Sequence, residues 1–217
     1  MADRPIIFSG PMVQALLAGR KSQTRRVLTH ACDDAPAYVA FGQVTALDEN
    51  DTPYRWPRTA AVGDRLYVRE NWSGKYYWHE TPPRDRQSGC WGGEIHIKED
   101  VWYWADGSPE YGDWEKPRPS IHMPRWASRL TLTVTDVRVQ RLQDISEADA
   151  VAEGCDAVLA LTIKRPNGAH PGNPRECYCD LWNSLHGHGA WDANPWVVAV
   201  TFTVQRWNID QIGDANG

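Results

Sequence analysis

The stretch Gly19-Arg20-Lys21-Ser22-Gln23-Thr24-Arg25-Arg26 is the one around which the rest of the chain must be arranged. Four cations within eight residues repel one another, so the fold must give them a reason to be together. Taken alone, such a run reads as a solvated basic turn. It follows directly on a short helix. Gly10-Pro11 opens that helix, with Pro11 at the first helical position, where its missing N–H is no loss. Met12, Val13, Leu16 and Leu17 give one apolar face, and Gly19 suits the C-terminal cap. The spacing inside the stretch sets a geometric condition. On an extended strand Lys21 and Thr24 point to opposite faces, about 10 Å apart. They meet only where the chain turns, as in one helical turn. A turn or short helical turn at 21–24, not a continuous strand, is therefore predicted, and a straight strand there would break the Lys21–Thr24 pairing.

Composition bounds what such a pair can serve. At 217 residues, with 41% hydrophobic and 24% charged residues, the chain suits one sizeable globular domain, residues 1–217. No apolar run approaches the roughly 18 residues of a membrane helix. The N-terminus, Met1-Ala2-Asp3-Arg4-Pro5, lacks the apolar core of a signal peptide, so a cytoplasmic protein is expected. The net charge of −5 argues against bulk electrostatic capture of nucleic acid and leaves the basic octad as its local candidate. Five scattered cysteines fit free thiols in a reducing compartment.

Outward from the octad, Ile6–Phe8 reads as a first strand, and residues 30–63 as loops with one hairpin strand around Tyr38 to Leu47. After the turn Val62-Gly63-Asp64 comes Arg65 to Trp72, in which Leu66, Val68 and Trp72 share one strand parity. Glu70 has that same parity, and a carboxylate in an apolar row points at the core or at a pocket. Residues 73–120 carry five tryptophans among glycines, prolines and charges, and read as an inserted lobe with a hairpin near Glu94–Trp104. A long strand follows from Leu130 to Val139, its apolar parity switching at Thr135-Asp136 as at a bulge. Ser146 caps a short helix ended by Gly154, with Asp149 placed to reach back to the cap. Asn173-Pro174 starts another helix, with Tyr178, Leu181, Trp182 and Leu185 as its apolar face. A last strand runs from Trp196 to Val204, and the tail beyond Trp207 is polar. The class is α+β, with about three short helices and a mixed or closed sheet.

In this order stand a helix with a G-x-K-x-x-T-x-R tail, a G-D-x-L-x-V-R-E strand, an L-x-L-x-V-x-D-V strand, an S-x-x-D/E-A-x-x-E-G helix, and L-W-x-S-L before N-P-W-V-x-x-x-x-F. Together they resemble the ASCH domain, a small mixed β-barrel of the PUA-like superfamily, over residues 4–29, 60–72 and 123–207. The Trp-rich insertion resembles versions carried by bacteriophages and prophages. The resemblance implies binding of RNA or nucleotides. In one branch it implies an amidohydrolase that removes the acyl group from N4-acetylcytidine, without a cofactor. The roles in that branch fall here on Lys21, Thr24 and Glu70.

Amide hydrolysis needs a nucleophile, a base and a proton donor for the leaving amine. Thr24 attacks if Lys21 takes its proton, which crowding by Arg20, Arg25 and Arg26 would favour by disfavouring the charged lysine. Glu70 in its acid form protonates the departing N4 amine. If Glu70 is instead ionised and holds Lys21, the lysine is the weaker base. Phe8, Trp72 and Trp126 are candidates to stack on a cytosine and Arg26 to anchor it, against the plainer reading of the three rings as core. Cys177-x-Cys179 with His186 and His188 lacks the usual zinc spacing, so no metal is expected. The alternative to a hydrolase is an RNA- or nucleotide-binding module whose arginines contact phosphates. A small modified nucleoside is the expected partner of the first, RNA of the second, and a membrane of neither.

Overall fold

The computed structural model describes residues 2–28, 38–40, 42–47, 53–55, 59–86, 97–163, 165 and 168–211. In chain order the elements are β1 (Asp3–Ile7), α1 (Gly10–Leu17), β2 (Gln23–Val27), β3 (Tyr38–Ala40), β4 (Gln43–Leu47), β5 (Pro53–Arg55), β6 (Arg65–Arg69), β7 (Trp72–Gly74), α2 (Ile97–Asp100), β8 (Val101–Tyr103), β9 (Thr131–Arg141), α3 (Glu147–Ala152), α4 (Ala157–Thr162), α5 (Pro174–His186) and β10 (Trp196–Gln205). The class is α+β with a mixed five-stranded sheet, in the order β1-β6-β9-β10-β2. Among the described residues the strands form no closed barrel, which corrects that expectation. Besides the three expected helices there are α4 and the single turn α2. No described helix is long and apolar enough to cross a membrane.

The chain divides into two compact units interleaved in sequence. The first holds Ala18–Asp64 and Val134–Thr203. Its β2 pairs antiparallel with β10, Thr24 opposite Val200 and Arg26 opposite Val198. Val197 to Val200 are all buried, on both faces of the strand. One core cluster gathers Leu142, Ile145, Ala150, Cys155, Cys177, Tyr178, Trp182, Trp191 and Val197. The capping logic of both helices is as the sequence predicts: Ser146 accepts from the Asp149 N–H, and Asn173 from the Glu176 N–H. Leu185 is an exception on the predicted face of α5, at 51% exposure, and Cys177 is buried instead. The expected strand at 38–47 is two strands, and β3, β4 and β5 form an antiparallel meander.

The second unit holds Ala2–Leu17, Arg65–Thr133 and Val204–Gly217, and so contains the expected inserted lobe 73–120. Its β1 runs parallel to β6, which pairs antiparallel with the start of β9. Trp72, Val101, Tyr103, Met123 and Ala127 form its own buried cluster. Of the hairpin expected near Glu94–Trp104, residues 94–96 lie outside the described residues; over 97–103 α2 leads into β8, which pairs with β7. The turn expected at Trp91-Gly92-Gly93 lies outside the described residues.

Within β9 the apolar parity inverts where it was predicted to. Leu132 and Val134 are buried, Thr135 and Asp136 are both exposed, and Val137 is buried again.

Candidate functional site

The basic octad is a buried ionic joint, not a solvated turn. Gly19, at φ 70°, takes the left-handed conformation that ends α1, so the chain reverses at Ala18-Gly19. From Ser22 on it is extended. The Phe202 N–H donates to the Ser22 carbonyl at 2.9 Å, which carries the β2–β10 ladder one residue beyond β2. This corrects the turn predicted over 21–24. Because side chains alternate along extended chain, Lys21, Gln23 and Arg25 fall in one row and Thr24 in the other.

The first row converges on the end of α3. Lys21 Nζ donates to Glu153 Oε2 at 2.7 Å and to the Glu153 carbonyl at 2.9 Å. Arg25 donates to Glu153 Oε1 at 3.1 Å, to Asp149 Oδ2 at 3.1 Å and to Gln23 Oε1 at 2.5 Å. Gln23 in turn donates to Asp149 Oδ1 at 3.2 Å, where Arg138 from β9 also bonds at 2.8 Å. Asp149 does not reach back to the Ser146 cap as expected. Lys21 is 1% exposed, and Gln23, Thr24 and Arg25 are each 3% exposed. Arg20 pairs with Asp156 at 3.1 Å. The cations gather because acidic residues of α3 and its flanks stand among them. Burial would lift the Asp149 carboxyl; hydrogen bonds from Arg138 and Gln23 and the charges of Arg138 and Arg25 outweigh this and hold it at about 2.

Glu70 lies in the second unit, directly after β6, and is 1% exposed, as its strand parity predicts. Arg129 grips it with both arms, Nε to Oε1 at 2.8 Å and Nη2 to Oε2 at 2.9 Å. Arg129 also bonds Asp106 at 2.5 Å and 3.0 Å, and its guanidinium lies 4.0 Å over the Tyr103 ring. Burial pushes the Glu70 carboxyl up; the hydrogen bonds and charge of Arg129 oppose this, and the Asp106 charge adds to it. The net direction is upward.

Lys21 and Thr24 thus belong to one compact unit and Glu70 to the other. Of the residues named for substrate contact, Phe8 and Trp72 are core, at 2% and 0% exposure, so neither offers a ring face to a base. Trp72 meets Trp126 edge-on at 6.0 Å, and Trp126 is half-buried. Arg26 is exposed.

The sequence reading missed Glu153, Arg138, Arg129 and Asp106 as functional partners. Glu153 had a signal: it is the last glutamate of the S-x-x-D-A-x-x-E-G segment, followed at once by the helix-ending Gly154. Among the described residues no group of three His, Cys, Asp or Glu is arranged to hold a metal ion. Comparison with protein-family models, curated proteins and solved structures gives no match.

Proposed function

We propose that the chain is an amidohydrolase that removes the acyl group from N4-acylated cytidine or cytosine, and that its sheet is a PUA-like one. The observation that carries this reading is the buried Lys21–Glu153 ion pair at the entry to β2, the strand on which Thr24 stands. Burying a charged pair costs several kcal/mol that apolar residues would not, so such a pair in a small domain points to a working site. Thr24 is the nucleophile. Its oxygen bonds to the acyl carbon and the C–N4 bond breaks; one proton goes from Glu70 to the departing amine, and the Thr24 hydroxyl proton replaces it on Glu70. Glu70, whose carboxyl burial favours in the acid form, delivers the proton to N4. Water then hydrolyses the threonine ester to the carboxylic acid. Lys21 differs from its expected part as the base. Ion-paired with Glu153 and out of step with Thr24 along the strand, it suits a fixed positive charge for the oxygen of the tetrahedral intermediate.

The reading as an RNA-binding module is weaker on the same ground. Arg20, Lys21 and Arg25 each sit against a carboxylate, so the octad is a poor attractor of phosphate. The decisive assay incubates purified protein with a panel of N4-acylated cytosines and cytidines and follows release of the free amine. Turnover is expected, with Thr24→Ala, Lys21→Ala and Glu70→Ala each inactive while folded. Intact substrate at high enzyme concentration overturns the proposal. Salt-dependent RNA binding that falls with Arg26→Ala and ignores Thr24→Ala supports the module instead.

A further inference from the structure

We propose that the Trp-rich lobe binds a small organic cation carrying two or more alkylammonium groups, in a cavity walled by Tyr76, Tyr77 and the carboxylates of Glu99, Asp100 and Asp113. The cavity measures about 490 Å³ and is lined by these residues and Lys75. Small-ligand sites run from about 300 to 1,000 Å³. The lining lies wholly in the second unit and shares no residue with the hydrolase proposed above. Its walls are set by the backbone. The Lys75 N–H donates to the Asp100 carbonyl at 3.2 Å, the Tyr76 N–H to the Asp113 carbonyl at 2.8 Å, and Lys75 bridges Trp114 in antiparallel register. One 3-10 turn, Tyr76–Trp78, places the two tyrosines side by side. The Tyr77 hydroxyl donates to Asp100 Oδ1 at 3.0 Å, and the Tyr76 ring stacks on His79 at 4.7 Å. A lining held in this way is formed before a ligand arrives, which lowers the ordering cost of binding.

The chemistry of the lining selects the ligand. It carries three carboxylates and one ammonium, an excess of two negative charges. The ammonium is already engaged, with Lys75 Nζ 4.1 Å from the centre of the Trp114 ring. The sign of the excess turns away phosphates and nucleic acid and calls for a cation of charge two or more. Carboxylates alone would not make a site. The rings add to them: Tyr76 is 57% and Tyr77 41% exposed, so both keep ring surface for a ligand. Among the described residues no three His, Cys, Asp or Glu are arranged to hold a metal ion, and a metal would leave the rings unused. An alkylammonium uses both parts of the wall. Its N–H groups donate to carboxylates, and its charge and methylenes lie on tyrosine faces. The lobe holds its own cations by the same means, Lys75 over Trp114 and Arg86 over Trp72 and Trp78.

Titration calorimetry of the full chain tests this with 1,4-diaminobutane and spermidine against butylamine, 1,4-butanediol and magnesium chloride. Saturable one-site binding of the diamine and the triamine is expected. The diamine should bind about fivefold more tightly than butylamine, and the uncharged diol not at all. Tyr76→Ala, Glu99→Gln and Asp113→Asn change exposed side chains, so each should fold as wild type does in thermal unfolding. Each is expected to weaken the diamine about three- to fivefold. Glu110→Gln removes an exposed carboxylate outside the lining and should leave the affinity unchanged. A capped Lys-Gly-Lys peptide separates two sources of the same alkylammonium chemistry. Weaker binding than spermidine assigns the site to a free polyamine, and tighter binding to lysine side chains of a partner. The proposal is overturned if none of the amines binds saturably, or if magnesium binds as tightly as the diamine. It is also overturned if Glu110→Gln costs as much affinity as Asp113→Asn, because the attraction is then one of net charge without a site.

Discussion

Lys21 Nζ lies 2.7 Å from Glu153 Oε2, with the lysine 1% and the glutamate 4% exposed. The crowding of cations in the octad is thereby resolved by acidic partners from α3 and its flanks, not by water. In a buried pair, removing one partner leaves the other uncompensated, at a cost of about 3–5 kcal/mol. Lys21→Met and Glu153→Gln are each expected to lower urea stability, Lys21→Met by about that amount. The double variant should be more stable than Lys21→Met alone, because the orphaned carboxylate is gone. Equilibrium unfolding of the four proteins closes the cycle, and strict additivity would show that the pair is not coupled.

Asp149 carries a pH dependence whose sign follows from its depressed pKa. Above its ordinary value of 3.8 the carboxyl is ionised folded or unfolded, and its bonds to Arg138, Gln23 and Arg25 contribute in full. As pH falls from 3.8 toward about 2, the unfolded chain protonates first, and that contribution, about 2 kcal/mol, is lost. Asp149→Asn should therefore be less stable than wild type at pH 6 and lose less on acidification. Parallel stability curves for the two proteins from pH 6 to pH 2 would contradict this.

For Glu70 the sign is the reverse, and it is read in activity. As a proton donor Glu70 must be protonated, so turnover should fall as pH rises through its raised pKa. Asp106 adds to that upward push and shares Arg129 with Glu70. Asp106→Asn removes the anion and leaves Arg129 to Glu70 alone, both of which lower the pKa. The alkaline limb of the kcat/KM profile is expected to move to lower pH. A limb that stays in place removes Glu70 as the acid.

Gly74 tests the packing of the Trp-rich lobe. A Cβ there would stand 2.5 Å from an Arg86 guanidinium nitrogen, 2.7 Å from the Trp78 ring and 3.0 Å from a Glu115 oxygen. Arg86 cannot move aside easily: it bonds Glu115 at 2.7 Å and 2.9 Å, and its guanidinium lies 5.0 Å over Trp78 and 5.5 Å over Trp72. Gly74→Ala is expected to cost about 1–3 kcal/mol in thermal or urea unfolding, the range for overpacking a filled core. Wild-type stability would mean that the Arg86–Glu115 pair gives way.

The sequence by itself determined what depends on neighbours along the chain. The ends of α1, α3 and α5 lie at Gly19, Gly154 and Gly187, each with a positive φ, because a left-handed residue is the local solution to a helix end. The caps Ser146 and Asn173, the parity switch at Thr135-Asp136 and the burial of Glu70 are also matters of local spacing. The tertiary structure alone decided which carboxylates meet which cations. Glu153 is 132 residues from Lys21, and Arg129 is 59 from Glu70. No periodicity links such positions, and the charge of a residue says only that it needs a partner, not which one. The same holds for the octad's own conformation. Local spacing allowed a turn at 21–24 or an extended chain, and the choice fell to the β10 ladder, which pairs with residues 23–27 and bonds the Ser22 carbonyl. Extended chain put Lys21 and Thr24 in different rows, and so made the lysine the partner of Glu153.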